Sequence, residues 1–182
     1  MSRIVRIDTL KLGDKKSCSA NGDGVRIVVW FSGCDVRCEG CHNRDFWDFD
    51  NPKFPEFSES HLKIIEKEMN RFPLYSGLSI LGGEPLSTHN APDCLKLCKW
   101  YKEKFPEKNI WIWSGHTYEQ LLEQEGEHGN IIKKIFSYCD FLVDGPFILS
   151  QRDISLKFRG SKNQRIINLS REKKYLNDKR KI

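Results

Sequence analysis

The sequence has no apolar stretch long enough for a signal peptide or a membrane span. Its amino-terminal segment, Met1 to Ser17, carries charged residues throughout, whereas a signal peptide needs an apolar run of about seven to fifteen residues and a membrane helix about twenty. Hydrophobic residues make up 38% of the 182 residues and charged residues 30%, which is typical of a soluble globular protein. We therefore expect a cytoplasmic protein that does not bind membranes.

The main part of the chain also lacks an excess of basic residues. The formal net charge is +5, but the last twelve residues alone hold six basic and two acidic side chains. The rest is therefore close to neutral, whereas a nucleic-acid-binding protein presents basic residues over a folded face. This distribution argues against nucleic acid as a partner. At this length we expect one domain, residues 1–170, followed by a basic, solvated tail, residues 171–182.

The seven cysteines do not suit a framework of disulfides, because an odd number cannot all pair. In a reducing cytoplasm they would be metal ligands or small buried side chains. Cys34, Cys38 and Cys41 follow CxxxCxxC spacing in a short polar loop after an apolar run. Three such thiolates can converge on one metal centre. Iron–sulfur clusters are normally held by four cysteines, so a set of three indicates a cubane with one iron open for another ligand.

A structural zinc site is the alternative, with His42 as the fourth ligand. Adjacent residues such as Cys41 and His42 would have difficulty reaching one tetrahedral centre together, and we favour the cluster. Cys94 and Cys98 could also pair around a metal. They fall on the apolar face of a predicted helix, however, which indicates small core residues.

Strands and helices alternate along the chain, and there is no internal repeat. The apolar runs predict strands over residues 4–10, 26–32, 77–81, 109–115, 141–143 and 165–169. Helical periodicity predicts helices over residues 60–72 and 92–104, around Leu121 and Leu122, and over residues 131–136. A break between the last two of these helices is predicted at residues 126–129. Thr117 and Gln120 have the spacing of a capping box at the start of a helix. The alternation predicts an α/β fold with a mostly parallel sheet.

Four polar or glycine-rich features follow predicted strands: the cysteine loop, the turn Gly82-Gly83-Glu84-Pro85, Ser114 and Asp144. Functional loops gather at the carboxyl ends of parallel strands, so we expect these features to lie close together. A double glycine lets a ligand approach the backbone, and the glutamate presents a carboxylate beside it. Without the cysteine loop, a glycine turn followed by an exposed acid would be the simpler interpretation. Asp144 could equally be a turn residue at a strand end.

The cysteine motif followed by Gly-Gly-Glu-Pro resembles the radical S-adenosylmethionine superfamily. More narrowly, the chain resembles the activating proteins of anaerobic ribonucleoside-triphosphate reductase, a family of glycyl-radical-enzyme activases. The likeness covers about residues 21–169, and the stretch Arg-Gly-Ser-Lys-Asn-Gln-Arg at 159–165 is its most specific part. Two residues depart from the family pattern: Asp23, in a glycine-rich turn at residues 21–24 where proline is usual, and His116, where tyrosine is common. The stretches that carry the narrower likeness are 24–26, 41–43, 82–86, 113–115, 143–147 and 159–165.

The resemblance implies an open, partial (β/α) barrel that binds a [4Fe-4S] cluster and S-adenosylmethionine. Cys34, Cys38 and Cys41 would ligate the cluster, and the methionine moiety would chelate the open iron. Reductive cleavage would give methionine and a 5'-deoxyadenosyl radical, which makes the protein an oxidoreductase. The residues that the resemblance implies for cofactor binding are Gly40, His42, Gly82, Gly83, Glu84, Ser114 and Asp144.

The resemblance also implies a protein substrate, the glycyl-radical subunit of the reductase. A one-electron donor such as flavodoxin or ferredoxin would be needed. Little chain is left for a lid or a substrate domain, so the site should be open on one side. An activase of another glycyl-radical enzyme such as pyruvate formate-lyase is an alternative, against which the 159–165 stretch argues. A non-enzymatic zinc-binding or nucleic-acid-binding module is the alternative from another class.

Overall fold

One mixed sheet organises the part of the chain that the computed structural model describes, residues 1–10 and 20–171. Its strands lie side by side in the order in which they occur in the sequence. β2 to β5 are parallel, and β1 and β6 pair antiparallel at the two edges. The strands are β1 Ile4–Asp8, β2 Val25–Phe31, β3 Tyr75–Gly82, β4 Asn109–Trp113, β5 Phe141–Asp144 and β6 Arg165–Asn168.

The parallel strands are covered on both faces. β2 and β3 are buried along most of their length, which is why their sequences read as nearly continuous apolar runs. In the register, Ile27 lies opposite Leu78 and Ile80 opposite Ile112. Within the described residues, β1 and β6 each pair with one neighbour, so the sheet is open. The predicted α/β class with a mostly parallel sheet is confirmed, and the partial barrel stays a prediction.

Four α-helices occur within these described ranges. α1 begins after Ser58, whose backbone N–H donates to His61 Nδ1 at 3.2 Å. The predicted capping box of α3 is present, since Gln120 N–H donates to Thr117 Oγ1 at 3.3 Å and Thr117 N–H donates to Gln120 Oε1 at 2.9 Å. None of these helices is long and apolar enough to cross a bilayer. The helices are α1 Glu59–Arg71, α2 Ala91–Lys104, α3 Tyr118–Leu122 and α4 Gly126–Tyr138.

The break predicted at residues 126–129 is wrong, because α4 begins at Gly126. Glycine lowers helix propensity by about 1 kcal/mol relative to alanine, and this preference guided the prediction. In the structure, Ile132, Ile135 and Phe136 of α4 are buried against the sheet. Tertiary packing of this apolar face outweighs the weak local propensity.

The main core lies between one face of the sheet and helices α1, α2 and α4. Ile27 and Val29 of β2 point into it, whereas Val28 and Trp30 belong to a smaller cluster with Leu81. Alternate residues of a strand face opposite sides, so this smaller cluster covers the other face of the sheet.

Three further cysteines are buried in the main core. Cys94 and Cys98 of α2 are fully buried, and Cys98 Sγ lies 4.0 Å from Cys139 Sγ. The prediction that Cys94 and Cys98 are core residues is confirmed. The predicted basic tail lies outside the described residues, except for Arg171.

Arg26 fixes the glycine-rich turn at residues 21–24 to the sheet. Its side chain is fully buried, and burial lowers the pKa of its guanidinium to about 10. Its nitrogens donate to Ser79 Oγ at 2.7 Å, to the Leu78 carbonyl at 2.7 Å and to the Asp23 carbonyl at 3.1 Å. A single side chain therefore joins the turn to β3 at the amino ends of the strands.

Candidate metal and cofactor site

A cavity of about 180 Å³ lies at the carboxyl ends of the parallel strands. Loops that follow four successive strands form its wall. They contribute Cys34, Cys38 and Cys41 after β2, Gly82, Gly83 and Glu84 at the end of β3, Ser114 and Gly115 after β4, and Gly145 after β5. The sheet topology thus brings together residues that are more than one hundred positions apart in the sequence.

The cysteine loop is held by backbone hydrogen bonds to the segment that follows it. Gly33 N–H donates to the Phe46 carbonyl at 2.7 Å and Cys34 N–H donates to the Trp47 carbonyl at 3.1 Å. Within the loop, Cys41 N–H donates to the Cys38 carbonyl at 3.2 Å. Burial raises the pKa of the Cys34 thiol to about 11 and also raises that of Cys38. These raised pKa values favour the protonated thiols, and a bound metal centre would favour the thiolates instead, because metals bind the thiolate.

The donor set of the cavity fits an iron–sulfur cluster. Three thiols lie on one wall, and each cubane corner takes a single thiolate. Trp47 also lines the wall, and its indole Nε1 is buried with no hydrogen-bond partner among the described residues. An unpaired buried donor costs about 1 to 3 kcal/mol, and a bound group could satisfy it. Within residues 1–10 and 20–171, no three His, Cys, Asp or Glu side chains converge closely enough for a single metal ion.

The double glycine brings the end of β3 into backbone contact with the cysteine loop. Gly82 has a φ of +124°, and a Cβ on Gly83 would lie 2.1 Å from the Gly33 carbonyl oxygen. Gly83 N–H donates to the Phe31 carbonyl at 2.8 Å, and Glu84 N–H donates to the Gly33 carbonyl at 2.7 Å. A side chain at either glycine would force the two loops apart.

Glu84 is fully buried, so the interpretation as an exposed acid is wrong. One carboxylate oxygen accepts from Leu86 N–H at 2.9 Å and the other from Gly115 N–H at 2.7 Å. Burial raises the pKa of the carboxyl group, against the lowering effects of the Gly115 N–H and the nearby His116. A carboxylate can accept about four hydrogen bonds. Glu84 therefore keeps acceptor capacity toward the cavity that it lines.

The region from residue 20 to residue 167, which contains every residue of this cavity wall, matches a family model described as a 4Fe-4S single cluster domain. Relatives named anaerobic ribonucleoside-triphosphate reductase-activating protein are also found. The protein from Enterobacteria phage T4 is 32% identical over 148 residues, which cover 80% of this chain and 85% of the relative. Those from Haemophilus influenzae and Escherichia coli K12 are 35% and 33% identical over 145 residues, 79% of this chain and 88% of each relative.

The chain belongs to the family of anaerobic ribonucleoside-triphosphate reductase-activating proteins. The resemblance drawn from the sequence motifs is thereby confirmed. The matched region carries the three cysteines of the CxxxCxxC loop, Cys34, Cys38 and Cys41.

Of the cofactor residues that the family resemblance implied, Gly82, Gly83, Glu84 and Ser114 lie on the cavity wall. Ser114 is 5% exposed, and its Oγ accepts from His116 N–H at 3.1 Å. Gly40 and His42 do not line the wall. His42 is exposed, with its ring centroid 6.1 Å from that of Phe147, which does line the cavity.

Asp144 is also absent from the cavity wall. Its buried carboxylate accepts from Tyr118 N–H at 2.7 Å and pairs with Arg165, whose Nε lies 3.0 Å from Asp144 Oδ1. Arg165 bridges onward to Glu119 on α3 at 2.6 Å. These contacts give Asp144 a role in joining β6 to the ends of β5 and α3.

Several wall residues were not predicted, and they include Trp47, Trp113, Phe147 and Gln164. Trp113, Phe147 and Gln164 lie within stretches that carry the family likeness. The resemblance could therefore have pointed to them, whereas no pattern in the sequence marked Trp47. Gln164 is held in place because its Nε2 donates to the Gly145 carbonyl at 3.0 Å and its Oε1 accepts from Gly160 N–H at 2.8 Å.

His116 lies beside the cysteine loop. Its Nε2 lies 3.7 Å from Asp35 Oδ1. The nearby Asp35 carboxylate raises the pKa of His116, and the His116 imidazole lowers the pKa of Asp35. His116 therefore provides a polar link between the loop after β4 and the loop that holds Cys34.

Proposed function

We propose that this chain activates an anaerobic ribonucleoside-triphosphate reductase by generating a glycyl radical on it. The supporting observation is one cavity wall that carries three thiols and a buried carboxylate, those of Cys34, Cys38, Cys41 and Glu84. The family name of the relatives supports the choice of partner. This proposal makes the chain a radical S-adenosylmethionine oxidoreductase that works in the cytoplasm.

Cys34, Cys38 and Cys41 would hold three irons of a [4Fe-4S] cluster and leave the fourth iron open. When bound and reduced, the cluster supplies the electron that cleaves S-adenosylmethionine into methionine and a 5'-deoxyadenosyl radical. The protein contributes binding, orientation and exclusion of water. Trp47 would donate its unpaired indole N–H to the bound group.

Glu84 would accept a hydrogen bond from the ammonium of the methionine moiety. No ion pair among the described residues includes Glu84, and its raised pKa reflects the unfavourable burial of its charge. An ammonium group would neutralise that charge inside the cavity. Such a charge-assisted hydrogen bond contributes about 1.5 to 3 kcal/mol. Gly82 and Gly83 lie on the same cavity wall, and their backbone would lie against the bound ligand.

The protein substrate would be the glycyl-radical subunit of the reductase. A glycine near the carboxyl end of that subunit would lose its α hydrogen atom to the radical derived from the cofactor, with 5'-deoxyadenosine and a stored glycyl radical as the products. The single electron consumed in each activation comes from a donor such as flavodoxin or ferredoxin. The open sheet supports a substrate that is itself a protein.

The proposal is tested on protein reconstituted with iron and sulfide under anaerobic conditions. It should contain iron and sulfide in the equal amounts of a [4Fe-4S] cluster, and after reduction it should convert S-adenosylmethionine into 5'-deoxyadenosine. With the reductase added, electron paramagnetic resonance should detect a glycyl radical, and pyruvate formate-lyase in its place should give none. Zinc without iron or sulfide would overturn the assignment as an enzyme.

A further inference from the structure

Asn90 lies directly before α2, and its side chain is fully buried. Its Nδ2 lies within hydrogen-bond distance of three backbone oxygens, those of Ser32 at 2.9 Å, Glu84 at 3.0 Å and Gly33 at 3.3 Å, which share its two hydrogens. Ser32 and Gly33 lead directly into Cys34. One amide group therefore joins the loop that holds the cysteines to the turn that holds the buried carboxylate.

This amide does not serve the helix that it precedes. An asparagine at the N-cap normally accepts a hydrogen bond from the first turn of the helix, but Asn90 makes no side-chain cap bond. Its Oδ1 is buried and has no hydrogen-bond partner among the described residues. The amide group is thus oriented by the three carbonyls that its nitrogen contacts, and its oxygen goes unpaired as a result.

We propose that Asn90 is a positioning residue that sets the spacing between the cysteine loop and Glu84. The inference rests on the proposed function, in which one molecule of S-adenosylmethionine is bound by groups from both loops at once. A ligand held at two points binds well only when the two points are correctly spaced. Asn90 does not line the cavity, and it acts through the backbone that carries Cys34 and Glu84.

The two loops keep other contacts when the amide is lost. Gly83 N–H still donates to the Phe31 carbonyl and Glu84 N–H to the Gly33 carbonyl, at 2.8 and 2.7 Å. Cys34, Cys38 and Cys41 lie in a single loop, so the cluster should still assemble. The expected effect is a looser arrangement of the two loops and weaker binding of S-adenosylmethionine, by about tenfold for the loss of one or two neutral hydrogen bonds.

Asn90→Asp is the sharpest test because aspartate has the same shape and is an equally good N-cap residue. An ionised carboxylate has no N–H to donate, and it would face three carbonyl oxygens. Asn90→Ser, which keeps a small donor, provides the second variant if the first does not fold. Cys98→Ala is the matched control, since it removes a buried side chain from the same helix without touching either loop.

Each anaerobically reconstituted protein is assayed for iron and sulfide, for thermal stability, and by titration of the reduced cluster's electron paramagnetic resonance signal with S-adenosylmethionine. Asn90→Asp should keep its iron and require at least about ten times more S-adenosylmethionine, with a smaller shift in Asn90→Ser and none in Cys98→Ala. Curves that overlap the wild-type curve, or an equal shift in Cys98→Ala, would overturn the inference. Wild-type protein that does not respond to S-adenosylmethionine would overturn the proposed function together with it.

Discussion

Replacing Glu84 with glutamine should separate cofactor binding from cluster assembly. The new side chain keeps its size and one acceptor oxygen but loses its charge. A charge-assisted hydrogen bond to an ammonium contributes about 1.5 to 3 kcal/mol, so the affinity for S-adenosylmethionine should fall about 10- to 150-fold. The iron content should not change, because the cluster ligands lie in another loop.

The same substitution should also destabilise the fold. The two carboxylate oxygens of Glu84 accept from the N–H groups of Leu86 and Gly115. Glutamine supplies one acceptor oxygen, so its NH2 group would face the second N–H and leave it unpaired. The penalty is about 1 to 3 kcal/mol, and removal of a buried charge offsets part of it. We expect the free energy of unfolding to decrease by about 1 to 2 kcal/mol.

The assay is an anaerobic titration of the reduced cluster's electron paramagnetic resonance signal with S-adenosylmethionine, well below the unfolding temperature of each protein. Asp144→Asn is the matched control. It also neutralises a buried carboxylate that accepts a backbone N–H at the end of a strand, but Asp144 lies off the cavity wall. This control should lose stability and leave the titration unchanged.

Two results would refute the reasoning about Glu84. Superimposable titration curves for Glu84→Gln and wild type would remove Glu84 from the binding site. A comparable shift in Asp144→Asn would assign the effect to general destabilisation of the strand ends instead of a contact with the ligand.

Burial raises the pKa of Glu84 above its unfolded value, so the stability that its protonated form contributes is present at low pH and lost as pH rises through the raised pKa. Urea unfolding of the cluster-free protein at several pH values should show this loss in wild type but not in Glu84→Gln. Equal pH profiles for the two proteins would contradict it. Cys38→Ala should abolish the cluster and the cleavage of S-adenosylmethionine, whereas Cys94→Ala should keep normal iron content and lose on the order of 1 kcal/mol of stability. Iron analysis of both variants tests this, and a normal cluster in Cys38→Ala would mean that the ligands are wrongly assigned. Arg26→Met should lower the free energy of unfolding by about 2 to 4 kcal/mol, because it leaves buried acceptors without donors; a urea midpoint close to that of wild type would contradict this.

The parts of the fold that could be predicted are those with a local signal. β2 and β3 are covered on both faces, so their apolar runs were visible in the sequence. The capping box at Thr117 and Gln120 depends on two residues three positions apart. The three cysteines lie within one short loop, and their spacing alone indicated a metal centre.

The remaining features depend on contacts between residues far apart in the sequence. Nothing around Glu84 shows that the loops after β2 and β4 bury it. The start of α4 at Gly126 depends on packing against the sheet, which local propensity does not describe. Asn90 reads as an ordinary N-cap residue, and its bonds to carbonyls 57 and 58 positions earlier appear only in the folded chain.

The sequential strand order bears on how the protein is made. Because each strand pairs with its neighbour in the sequence, the sheet can grow at one edge while the chain leaves the ribosome. The cysteine loop emerges early, after β2. Its supports at Glu84, Asn90 and Gly115 are synthesised about fifty to eighty residues later, which takes several seconds at about 5 to 20 residues per second.

During this interval the nascent chain exposes three thiols before β3 and β4, whose ends form much of the remaining cavity wall, have been synthesised. Iron and sulfide delivered at that stage would meet a flexible loop instead of a formed cavity. We therefore expect cluster insertion to follow synthesis of β4. Ribosome-bound chains that end before residue 90 should acquire no stable cluster, whereas chains that extend past residue 115 outside the ribosome should acquire one.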